Sequence, residues 1–159
     1  MNVKQLTRIA MLTALTTALS LVFIIPVPQT KGFVTLCETG IYTAALLFGP
    51  AAGTFVGGLS GGLIDLLSGY PEWAVFSILI HGFQGWLVGR LAHRPVLAVT
   101  LGSLIMILGY AAATILLFGL GAGLASIPSN LIQTIFGSIV ALPLVQALRR
   151  TNKFPLNER

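Results

Sequence analysis

His81 and Gln84 stand three residues apart in the apolar run FSILIHGFQGWLVG. On a helix, residues three and four apart share a face, so Ser77, His81 and Gln84 form one polar stripe. Glu38, Asp65, Tyr110, Asn130, Gln133 and Thr134 are further polar groups set in apolar surroundings. Such side chains donate and accept hydrogen bonds, which suits the binding of a small polar molecule. Catalysis has no comparable support. His81 and His93 are expected on opposite membrane sides, so they share no metal. The sequence has no HExxH, nucleophile elbow or P-loop. The lone Cys37 offers neither an internal disulfide nor a thiolate metal site. The expectation is a binding protein with no catalytic residue, metal or cofactor, and no ability to hydrolyse ATP itself.

The elements that must hold these residues are read from composition. The chain has 159 residues, 55% of them hydrophobic and 8% charged, with a mean hydropathy of +0.93. Soluble domains carry about 25% charged residues. The class is therefore a polytopic membrane protein, with residues 1–159 forming a single domain. The apolar run after Lys4 and Arg8 is longer than a signal h-region and ends in IIPVPQT, without an A-x-A site, so it reads as a retained helix. Pro, Gly and charge breaks predict an all-α bundle of six transmembrane helices, at about residues 5–25, 36–48, 51–68, 74–91, 96–118 and 127–148. PVPQTKGF and GLGAGLAS read as loops. Tyr70, Glu72 and Trp73 fall in an outer loop between the third and fourth helices.

An even number of spans puts both termini on one side. Lys4, Arg8, Arg90, Arg94, Arg149, Arg150, Lys153 and Arg159 fall on that side, and Lys31 alone on the other. Basic residues mark the cytoplasmic side, so both termini are expected in the cytoplasm and the protein in the plasma membrane. Topology thus accounts for the formal charge of +5, and a nucleic-acid partner is not expected.

Counted inward at about 1.5 Å per residue, His81 lies roughly 10 Å below the outer surface. Glu38, Asp65, Tyr110, Asn130 and Gln133 fall in the same outer half, whereas the cytoplasmic half of the spans is almost free of polar side chains. An ion pathway needs groups on both sides of the midplane, so this pattern describes a cup open to the outside. Trp73, Phe76, Phe83, Trp86 and Tyr110 are candidates for its aromatic wall. Each residue also has a plainer reading: His81, Asn130 and Gln133 as interhelical hydrogen bonders, Asp65 as a helix-end residue, Tyr70 and Trp73 as interfacial aromatics. Their shared depth favours the cup. Ala10, Ala14 and Ala18 line one face of the first helix at four-residue spacing, and Gly53, Gly57 and Gly61 repeat the pattern on the third. Such faces allow close helix approach, either within this chain or, for the alanines, against a partner protein.

AALLFGPAAGTFVGGLSGGLIDLLSGYPEWAVFSILIHGFQGWLVG, residues 44–89, resembles the S components of energy-coupling factor (ECF) vitamin transporters. The similarity lies with the branch carrying riboflavin, pantothenate and hydroxymethylpyrimidine, in its AALLFGP, its glycine-rich third helix and its DLLSGYP turn. The resemblance implies capture of a B-vitamin or precursor on the outer face by Glu38, Trp73, His81, Gln84, Tyr110, Asn130 and Gln133. It also implies docking through Ala10, Ala14 and Ala18 to a transmembrane coupling subunit, and ATP used by two cytoplasmic ATPase partners. Many relatives read I-K-G where this chain reads Ile80-His81-Gly82. A histidine there suits a neutral heteroaromatic, hydroxymethylpyrimidine or pyridoxine, better than an anion. The alternatives are pantothenate or riboflavin as cargo of the same role, a stand-alone secondary vitamin carrier, and a structural membrane subunit. No internal repeat of the kind common in secondary carriers is visible.

Overall fold

Proline opens three of the helices and glycine makes three of the sharp joints between them. The structure, a computed structural model, describes residues 2–27 and 32–151. Helix α1 spans Val3–Val22, α2 Cys37–Phe48, α3 Pro50–Ser68, α4 Pro71–Arg90, α5 Pro95–Phe118 and α6 Leu120–Arg150. Pro50, Pro71 and Pro95 stand at helix starts, where the missing N–H is no loss. Asn2 caps α1 reciprocally: it accepts from the Gln5 N–H at 2.9 Å while its own N–H donates to Gln5 Oε1 at 3.1 Å. Gly49 and Gly119, with φ of +85° and +87°, are single-residue joints between α2 and α3 and between α5 and α6.

Three expectations are corrected. Part of the first loop is a short antiparallel hairpin, β1 Ile25–Val27 against β2 Gly32–Val34, with Pro26 opposite Phe33. Residues 28–31, including Lys31, lie outside the described residues, as does the basic tail at 152–159 with Lys153 and Arg159. Helix α4 begins at Pro71, so Glu72 and Trp73 belong to its first turn and not to a loop. GLGAGLAS is helical: α6 starts at Leu120, seven residues before the expected start. The turn is completed by Gly119 alone, and Gly123 then packs against Ile115 and the Ala111 carbonyl of α5. Next to lipid, a helix satisfies backbone groups that a loop would leave bare.

Helix α2 is the centre of the bundle and packs on α1, α3, α4 and α6. Eight of its twelve residues are buried, from Cys37 and Glu38 to the run Ile41–Leu46. Ile41, Tyr42, Ala45 and Leu46 join Ile64, Val88, Val99 and Val145 in the main core. Helices α1, α3, α5 and α6 are long and apolar enough to cross a membrane. Helix α2 is shorter, and α4 carries the buried polar stripe. Helix α1 has reversed polarity: Thr13, Thr16, Thr17 and Ser20 face inward, while Met11, Leu15 and Leu19 face out. That arrangement suits a lipid exterior.

Helices α3 and α4 make the most intimate contact. A Cβ on Gly53 would meet the Gly85 carbonyl, and one on Gly85 would meet the Gly53 backbone. The same holds for Gly57 against the His81 carbonyl and Gly89 against Pro50. Lipid provides no hydrophobic drive for helix association, so close backbone packing supplies it. Gly85→Ala is expected to destabilise the bundle by about 1–3 kcal/mol through overpacking. Gly121→Ala, in open space, is expected to stay within about 0.5 kcal/mol. Denaturant unfolding in detergent compares the two; equal effects would mean that the α3–α4 contact is not tight.

Candidate functional site

The C-terminal end of α3, the first turns of α4, the second half of α5 and the first half of α6 surround a cavity of about 50 Å³. One water needs about 10–15 Å³, so several fit. Gly61, Ile64 and Asp65 face it from α3, and Trp73 and His81 from α4. Met106, Tyr110 and Thr114 come from α5, and Ser126, Ser129, Asn130 and Gln133 from α6. Phe33, Thr35 and Cys37 complete the wall.

Gly61 explains how His81 fits. A Cβ there would lie 2.7 Å from His81 Cδ2 and 3.3 Å from Ser77 Cβ. The glycine therefore leaves room for the imidazole between α3 and α5. His81 is 4% exposed, and both ring nitrogens are engaged. Nδ1 lies 2.8 Å from Gln84 Oε1, and Nε2 lies 3.0 Å from the Tyr110 hydroxyl. Gln84 in turn donates from Nε2 to the Tyr42 hydroxyl at 3.0 Å, and Tyr42 meets Ser103 Oγ at 2.9 Å. Ser77 Oγ lies 2.5 Å from the Tyr110 hydroxyl. An amide oxygen only accepts, so with this Gln84 orientation Nδ1 carries hydrogen. In the neutral ring Nε2 then accepts from Tyr110. The polar stripe of α4 is thus one arm of a chain running from Ser77 to Ser103.

A second arm crosses the bundle. Gln133 Nε2 donates to Glu38 Oε2 at 2.6 Å, while Gln133 Oε1 accepts from the Thr35 N–H at 2.7 Å. The fully buried Glu38 also places Oε1 3.5 Å from His81 Nδ1, so the arms meet at the histidine. Aromatic rings close the top. Trp73 lies 5.9 Å from both Tyr110 and Phe118, and His81 lies 5.4 Å from Tyr110, centroid to centroid.

Of the residues expected at the site, Trp73, His81, Tyr110, Asn130 and Gln133 are on the cavity wall. Glu38 and Gln84 sit behind it and hold His81 and Gln133. Phe76 is half-buried and touches Trp73 edge-on at 6.3 Å. Phe83 and Trp86 do not join the wall: they are exposed on the outside of α4, stacked on each other at 5.5 Å, with the Arg90 guanidinium over Trp86. Position explains this, since 83 and 86 fall on the face opposite the 77–81–84 stripe. Ser126 was hidden by reading GLGAGLAS as a loop, and Ser129, inside the expected sixth helix, was not singled out. The signal was present, because 126, 129, 130 and 133 share a helical face. Ala10, Ala14 and Ala18 are all exposed, so the alanine face does not pack within this chain. Among the described residues, no group of three or more His, Cys, Asp or Glu could hold a metal ion.

A family model, ECF-type riboflavin transporter, S component, matches residues 1–150. The chain belongs to this family. It is an S component, the membrane-embedded binding subunit of a transporter, and not an enzyme. The thiamine precursor transporter HmpT of Lactococcus lactis subsp. cremoris is 38% identical over 151 residues, covering 94% of this chain and 90% of that protein. An uncharacterized protein of Pyrococcus woesei is 33% identical over 132 residues, covering 79% of this chain and 88% of that protein.

Gln133→Leu leaves the buried Glu38 carboxylate and the Thr35 N–H without their partner. It is expected to cost about 1–3 kcal/mol of stability. Asn130→Leu, on the half-buried wall, is expected to cost less than about 0.5 kcal/mol. Thermal unfolding in detergent checks the order; a harmless Gln133→Leu would show that the second arm does not hold the bundle.

Proposed function

We propose that this S component captures a thiamine precursor, hydroxymethylpyrimidine, from the outer side of the plasma membrane. It then delivers the cargo by associating with a transmembrane coupling subunit and two cytoplasmic ATPases. The observation that carries the reading is the make-up of the cavity wall. Histidine, tyrosine, serine and amide groups line it beside Trp73, and no Lys or Arg lines it among the described residues. A carboxylate cargo such as pantothenate meets no cation among the described residues of that wall. A single heteroaromatic ring stacks on Trp73 and finds donors and acceptors around it. The small cavity favours one ring over the three fused rings of riboflavin. The relationship to a thiamine precursor transporter supports the same choice, because hydroxymethylpyrimidine is the pyrimidine half of thiamine. Pyridoxine, also a single ring, is the nearest competitor.

Charge supports the orientation. Lys4, Arg8, Arg90, Arg94, Arg149 and Arg150 lie at the helix ends remote from the cavity. With basic residues inside, the cavity faces out and both termini lie in the cytoplasm. The exposed alanine face of α1 is then available to the coupling subunit. A stand-alone carrier would instead transport without ATPase partners.

The test is ligand titration of the purified chain in detergent, in a Trp86→Phe background so that fluorescence reports Trp73. Hydroxymethylpyrimidine is expected to bind more tightly than pyridoxine, pantothenate or riboflavin. His81→Ala is expected to weaken it by about tenfold or more. Tighter binding of any competitor would overturn the cargo. Ala14→Trp is expected to abolish co-purification with the coupling subunit and ATPases while leaving ligand binding unchanged. Retained co-purification would remove the α1 face from the docking surface.

A further inference from the structure

Asp65 is a cavity-lining carboxylate with one oxygen left unpaired. It stands one turn beyond Gly61 on α3 and is 4% exposed. Its backbone carbonyl closes the end of α3 by accepting from the Tyr70 N–H at 2.9 Å. Its side chain takes no part in that cap. Oδ2 has no hydrogen-bond partner among the described residues. A carboxylate buried for architecture is paired, because an unpaired one is costly. Glu38 also keeps one oxygen, Oε1, without a hydrogen-bond partner, but it is held behind the wall by Gln133 at 2.6 Å, whereas Asp65 lies on the wall itself. Asp65 is hydrogen-bonded by the Ser77 side chain and lies near His81 and Glu72. None of these neighbours is a fixed cation.

We infer that Asp65 selects the cargo by accepting a hydrogen bond from an amino group on the bound heteroaromatic ring. The inference rests on the proposed capture role and narrows its ligand class to amino-substituted rings. The acceptor is charged and buried, and it adjoins the pocket that holds His81 and Trp73. A ligand N–H supplies the missing partner, and a hydrogen bond to a buried charge is among the stronger ones. A ring of the same shape without the amino group leaves Oδ2 unpaired, and a site built for a donor discriminates against ligands that lack it. Hydroxymethylpyrimidine carries such an amino group; pyridoxine does not.

The experiment measures dissociation constants of hydroxymethylpyrimidine and its desamino analogue for the wild type and for Asp65→Leu, with thermal unfolding of both ligand-free proteins. The wild type is expected to prefer the amino compound by about tenfold or more. Asp65→Leu is expected to erase that preference while keeping its affinity for the desamino ring. The ligand-free variant should also melt at a higher temperature, since a buried carboxylate with one unpaired oxygen has been replaced by an apolar group. A carboxylate needed for structure would shift melting the other way. Asp65→Asn, which keeps shape and one acceptor oxygen, is expected to retain part of the preference. A wild type that binds both rings equally, or a Leu variant that keeps the preference, overturns the inference and leaves the capture role standing. A wild type that binds neither ring overturns the capture reading and this inference with it.

Discussion

Gly53 and Gly85 bring two helix backbones to a separation that no side chain permits, and much of the molecule is arranged around that contact. At Gly53, Gly57, Gly85 and Gly89 an added Cβ would run into main-chain atoms across the interface. The register this sets places Gly61 against the His81 ring and leaves Asp65 one turn further on. A bilayer offers helices no hydrophobic reason to associate. Removing side chains substitutes close packing for that missing force and makes space for an imidazole at the same depth.

The second constraint is the low polarity of the surroundings. Polar groups at this depth are expensive unless paired. Most of the site meets the requirement through two hydrogen-bonded arms that converge on His81. The arms tie α2, α4, α5 and α6 together, so the groups that recognise cargo also fix the bundle. The unpaired carboxylate oxygen of Asp65 departs from that pattern at the cavity wall. A binding protein gains from such a departure, because the free energy withheld in the empty state is released when a complementary group arrives.

The outer surface follows the same logic in reverse. Helix α1 turns threonines and a serine inward and presents leucines, a methionine and the alanine stripe outward. The bulky residues suit lipid, while the small ones leave a shallow strip along which another helix can approach. Cargo and partner surfaces are therefore on different parts of the molecule, which lets one be altered without the other.

The amino-acid sequence by itself determined the membrane class, the number of helices and the polar stripe of α4. These depend on local composition and on the 3.6-residue period, both of which a single segment carries. The ends of α2, α3 and α5 were legible within two residues, because Pro and Gly mark them chemically. The start of α6 was not. Glycine-rich sequence favours a loop in water, and only its packing on α5 beside lipid makes it a helix. Tertiary structure alone decided which aromatic rings face the cavity, since Trp73 and Trp86 look equivalent until the α3 contact selects one face of α4. It alone also separated Glu38 from Asp65. Each is a buried carboxylate with one oxygen left without a partner, but Gln133, a residue 95 positions from Glu38 in the chain, holds Glu38 behind the cavity wall while Asp65 lies on it.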